Sequence, residues 1–110
     1  MEDQAVGPDL TLSTERAGSR AVIAITGELD AYSAPGLESE VGKLLSDGVM
    51  DLVFDLAATR FLDSSGLRTI LTSQRRLVDR DGRLALRAPS EPVRRLLDIT
   101  GLTDHFVMES

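Results

Sequence analysis

The chain of 110 residues contains no cysteine, no tryptophan and a single histidine. Without cysteine there is no disulfide, no thiolate nucleophile, no thiolate zinc site and no thiol redox switch. Aromatic residues make up 4% of the chain, which argues against a stacking platform for bases or sugars. Positive charge is also short. Lys and Arg number 12 against 18 Asp and Glu, a formal charge of −6. Nucleic acids and anionic membranes are bound mainly through Lys and Arg, so neither is an expected partner. No apolar run approaches the roughly 18 residues of a membrane span. The opening Met1-Glu2-Asp3-Gln4 is acidic and unlike a signal peptide. A soluble, cytoplasmic protein is the expectation.

Catalytic signatures are missing too. There is no Walker-type loop, no G-x-G-x-x-G and no G-x-S-x-G elbow. A Ser–His–Asp triad would require His105 against Ser64 or Ser65, and His105 is expected instead on the surface or at an edge. An enzyme is not expected, and no bound cofactor is called for.

What is present is an ordinary globular composition, 42% apolar. Residues 1–9 are polar, contain Gly7-Pro8, and suggest a flexible lead-in. Residues 10–110 then form a single domain. Leu10 to Arg16 alternates as a half-wet strand. Gly18-Ser19 makes a turn, and Ala21-Val22-Ile23-Ala24-Ile25 is a second, buried strand, giving a hairpin. Ser33 before Pro35 marks a helix start. Leu37, Val41, Leu44 and Leu45 fall on one face of that helix, which Gly48 ends. Leu52-Val53-Phe54 is a short apolar strand, so strand–helix–strand suggests a right-handed parallel crossover.

A polar connection follows. A second helix begins near Ser65, with Leu67, Ile70, Leu71, Leu77 and Val78 apolar, and stops at Asp81-Gly82, where Gly suits a left-handed position. Arg83 to Arg87 is another strand. Ser90 and Pro92 open a third helix, with Val93, Leu96 and Leu97 inward and Gly101 at its close. His105 to Met108 forms a last strand or a docked tail. The sum is an α/β fold, a mixed β-sheet packed with α-helices.

Two features carry the chemistry. Asp30, Asp55 and Asp63 each follow a strand or lie between a strand and a helix. In parallel folds such connections meet at the carboxyl edge of the sheet. There the acids would either gather Mg²⁺ or simply form turns. The second feature is Asp63-Ser64-Ser65-Gly66-Leu67. Asp63 or Ser64 is placed to cap the helix, and Gly66 allows a tight approach. No Glu or Gln completes a capping box. A serine at a helix mouth is also a good phosphate acceptor, because free N–H groups and the helix dipole favour the added charge. Carboxylates beside it oppose that charge.

These residues resemble a known family. Asp63-Ser64-Ser65-Gly66-Leu67 is similar to the phosphorylation motif of bacterial anti-sigma factor antagonists, the anti-anti-sigma proteins of the STAS domain family. Gly27-Glu28-Leu29-Asp30 resembles the family's acidic loop. Arg95-Leu96-Leu97-Asp98-Ile99-Thr100-Gly101-Leu102 resembles its third-helix signature. The likeness runs from about Leu10 to Met108.

The resemblance implies a STAS-type fold. It also implies a partner, an anti-sigma factor of the GHKL serine-kinase class that holds a sigma factor inactive. The unphosphorylated antagonist would bind that kinase and free sigma. The kinase, with its own ATP and Mg²⁺, would phosphorylate the antagonist and eject it, and a PP2C-type phosphatase would restore it. The alternative within the family is a scaffold or adaptor module whose serine never switches. The family's acceptor falls on Ser65, with Asp30, Asp63, Ser64, Gly66, Leu67 and Arg68 as the expected partner-binding surface. Arg68 is a departure, because better-known members often carry Gly there. It pairs with the phosphate, pairs with an acid of the partner, or is a solvated helix position.

Overall fold

The fold is organised on a ten-residue strand, β3, Arg20–Leu29. Its odd positions, Ala21, Ile23, Ile25 and Leu29, are buried, and its even positions are partly wet. That alternation is the period of a sheet with one dry face. In this computed structural model, which describes residues 2–109, β2 (Leu10–Ala17) pairs with β3 as the expected hairpin. Ala17 stands opposite Arg20, so the turn has two residues, and Gly18 there takes a positive φ of 62°.

The seven strands form one sheet in the order β1 (Glu2–Gly7), β2, β3, β4 (Asp51–Asp55), β6 (Arg83–Arg87), β7 (Val107–Glu109), with β5 (Thr59–Leu62) also on β3. The strand β4 (Asp51–Asp55) runs parallel to the first half of β3. Next, β5 (Thr59–Leu62) runs parallel to the second half, Gly27 to Leu29. The two short strands thus follow one another along one side of the long one. Two further parallel strands, β6 (Arg83–Arg87) and β7 (Val107–Glu109), complete that side of the sheet.

Three helices cover the dry face. These are α1 (Ala34–Ser46), α2 (Ser64–Val78) and α3 (Glu91–Ile99). All four expected positions of α1 (Leu37, Val41, Leu44, Leu45) are buried in a core shared with Ile23, Leu52, Phe54, Leu86 and Val93. On α2, Leu67, Ile70 and Leu77 are buried, whereas Val78 is exposed. The opposite face of the sheet carries ion pairs instead of a helix. Glu109 of β7 lies between Arg20 of β3 and Arg87 of β6. Their hydrogen bonds, Arg20's first, hold the Glu109 carboxyl down to about 2.

Three expectations change. The supposed flexible lead-in contains β1, Glu2–Gly7, paired antiparallel to β2 (Met1 and Ser110 lie outside the described residues). This strand comes from ladder pairing along β2, not from an apolar pattern of its own. The polar connection after Phe54 hides β5, formed by the same kind of pairing on β3. At the end of α2 the left-handed residue is Asp81, at φ 60°. Gly82 answers to space, since a Cβ there would lie 2.6 Å from the Met50 carbonyl oxygen. His105–Met108 resolves into a single 3₁₀ turn, Thr103–His105, followed by β7.

Candidate functional site

The end of β3 and the end of β5 lie side by side, because Leu29 pairs with Leu62. The next residues are Asp30 and Asp63. The Asp63 N–H donates to the Leu29 carbonyl at 3.3 Å, so the mouths of α1 and α2 open at the same end of the sheet. Two of the three grouped acids therefore do meet there.

Each acid is engaged by its own turn. Asp63 is the N-cap of α2 in extended conformation, and its Oδ1 accepts from the Gly66 N–H at 3.0 Å. Asp30 Oδ1 accepts from the Tyr32 N–H at 3.0 Å and the Ser33 N–H at 3.1 Å. Asp55 Oδ1 accepts from the Ala57 N–H at 3.1 Å. Among the described residues no three His, Asp or Glu side chains are grouped so as to hold a metal ion. The acids are turn formers, the second of the two roles open to them.

Because Asp63 caps α2, the two serines are left over. Ser64 is exposed and Ser65 half-buried. Among the described residues neither hydroxyl has a hydrogen-bond partner; Ser65 contributes only its carbonyl, to the Thr69 hydroxyl at 3.2 Å. Ser64 and Ser65 occupy the first turn, where helix N–H groups lack intrahelical acceptors. The arrangement supplies a free hydroxyl beside free donors.

Gly66 and Leu67 are buried. A Cβ on Gly66 would fall 2.6 Å from the Leu29 carbonyl oxygen and 2.6 Å from Leu62 Cδ1. The glycine therefore lets α2 press against the ends of β3 and β5, and Leu67 joins the core. Both position the surface and present little of it. Arg68 is exposed, with no salt bridge among the described residues. It lies one turn beyond Ser65 on the same side of the helix.

His105 is exposed, as expected, on the 3₁₀ turn. Its carbonyl accepts from Gln74 Nε2 at 3.1 Å, more than two helical turns from Ser65, so it takes no part at this surface.

Sequence reasoning missed Tyr32, whose side chain stands 89% exposed two residues after Asp30. An aromatic inside an otherwise polar loop, Asp30-Ala31-Tyr32-Ser33, was the available signal. It also missed the burial of Ser33, 3% exposed.

The description STAS domain belongs to the family model that matches residues 11–110. An anti-sigma-B factor antagonist of Staphylococcus epidermidis is 35% identical over 74% of this chain and 76% of its own length. The crystal structure of an anti-sigma factor antagonist from Mycobacterium paratuberculosis superposes with a TM-score of 0.79 and 31% identity, covering 94% of this chain and 89% of that one. The anti-sigma factor antagonist SpoIIAA in its unphosphorylated form gives a TM-score of 0.78 at 25% identity, over 90% of this chain and 88% of that one. Among the described residues no helix is long and apolar enough to cross a membrane.

Proposed function

From a chain that belongs to the STAS domain family, we propose an anti-sigma factor antagonist whose binding is switched at Ser65. The unphosphorylated protein binds a serine-kinase anti-sigma factor of the GHKL class and releases the sigma factor that kinase held. Phosphate on Ser65 ends the binding, and a PP2C-type phosphatase restores it. One observation carries the reading. Asp63 does the capping of α2, which leaves the Ser65 hydroxyl unengaged at the helix mouth.

The switch is electrostatic and steric. Phosphate adds about −1.5 to −2 charges on a surface that already holds Asp30 and Asp63. A partner fitted to the neutral serine then meets repulsion and bulk, and each ~1.4 kcal/mol lost is a tenfold loss of affinity. Asp30 and Asp63 keep their own backbone partners throughout, so no refolding is required. Arg68 is placed to pair with the phosphate or with an acid of the partner.

The test is mass spectrometry after incubation with serine-kinase anti-sigma factors, ATP and Mg²⁺. One phosphate mapped to Ser65, absent in Ser65→Ala, is the expected result. Ser65→Ala should bind constitutively and Ser65→Asp weakly. Tight binding with no phosphate on Ser65 would instead make the protein a non-switching STAS module.

A further inference from the structure

Four aromatic rings of the Phe and Tyr type are present, three Phe and one Tyr. Phe54 and Phe106 are core residues. The other two, Tyr32 and Phe61, are exposed, and both stand at the end of the sheet where Ser65 lies. Phe61 is on β5 one residue before Leu62, opposite Glu28. Tyr32 is in the loop from β3 to α1. Of the exposed non-aromatic apolar residues, Met50 and Val78 lie at the other end, where the Arg83 N–H donates to the Met50 carbonyl at 2.8 Å just beyond α2, and Ile99, Val107 and Met108 lie on α3 and β7.

Tyr32 is also firmly mounted. Its N–H is held by Asp30 Oδ1, and the next residue, Ser33, is buried and bonded on both sides. The backbone therefore fixes where the ring projects, while the ring itself touches little. An exposed aromatic on a fixed turn has low ordering cost on binding, the property of interface anchors. Beside it is a notch lined by Pro8, Asp9, Glu28, Asp30, Tyr32 and Ser33. That lining has three carboxylates and no cation.

We propose that Tyr32 is an anchor through which the anti-sigma factor grips the unphosphorylated protein. The ring enters an apolar slot on the partner, whose flanking Lys or Arg side chains meet Asp9 and Asp30, Glu28 being already paired with Arg60 at 3.9 Å. This rests on the reading that the partner is a serine-kinase anti-sigma factor. The ring adds contact area at the same end of the sheet as Ser65, so a phosphate there and a missing ring act on one interface.

The experiment is isothermal titration of the purified kinase that phosphorylates Ser65 with wild type, Tyr32→Ala, Tyr32→Phe and Val78→Ala. Tyr32→Ala retains the backbone N–H that Asp30 holds, so its thermal unfolding should match wild type. The expected result is a rise in Kd of about tenfold or more for Tyr32→Ala. Tyr32→Phe should stay within about threefold and Val78→Ala should be unchanged, since the ring and its location carry the effect. Binding of Tyr32→Ala within twofold of wild type, with Ser65 still phosphorylated, overturns the anchor and leaves the proposed function standing. If wild type binds no such kinase, the functional reading fails and the anchor fails with it.

Discussion

Two helices open at the same end of the sheet, each with an Asp and a Ser at its mouth, and they use those residues in opposite ways. At α2 the carboxylate of Asp63 caps the helix and the serines are spare. At α1 the serine is the structural residue. Ser33 occupies the N-cap position without capping. Its Oγ accepts from the Asp30 N–H at 2.9 Å and donates to the Glu28 carbonyl at 2.9 Å, closing the loop behind β3. The difference shows that residue type at a helix mouth does not decide whether a hydroxyl is left free. What decides it is which neighbour has already satisfied the backbone.

Substitutions at the two mouths test that contrast. Gly66→Ala should have the largest effect, because its Cβ meets backbone and cannot be accommodated without shifting α2. A loss of about 3 kcal/mol in urea unfolding is expected. Ser33→Ala comes next, since it strands the Asp30 N–H and the Glu28 carbonyl, a cost of about 1–3 kcal/mol. Ser65→Ala should be the smallest, within about 0.5 kcal/mol, because its hydroxyl bonds to none of the described residues. If Ser33→Ala proved as mild as Ser65→Ala, the two mouths would not differ in the way described. An Asp63→Ala loss of about 1 kcal/mol would sharpen the contrast by assigning the capping of α2 to the carboxylate.

Much of this was legible in the sequence for a physical reason. The faces of α1 and α3 and the hairpin carry their own hydrophobic pattern, and Leu52–Phe54 is an unbroken apolar run, so their structure is local information. The cap at Asp63 was legible too, as one of two named possibilities. The strands β1 and β5 were not, because Glu2–Gly7 and Thr59–Leu62 gain their structure from partners far along the chain. In β5 the register shift beside Gly27 also breaks alternation, leaving Arg60 and Phe61 both exposed. Ser33 before Pro35 did mark the start of α1, but nothing local showed that its hydroxyl turns back toward Glu28. Leu67 as an apolar helix position and Gly66 as a point of tight approach were legible, and the meeting of Leu29 with Leu62 shows what they press against.

The carboxylates of Asp30 and Asp63 are already bonded to their own turns before anything arrives. A surface with no loop left to arrange is ready at first collision, so encounter is governed by diffusion and long-range charge, not by a slow structural step. An anion added there would act on the trajectory of approach as well as on the finished complex. Its influence on association should then fade as added salt shortens the reach of charge, while any steric part of its effect persists at every ionic strength.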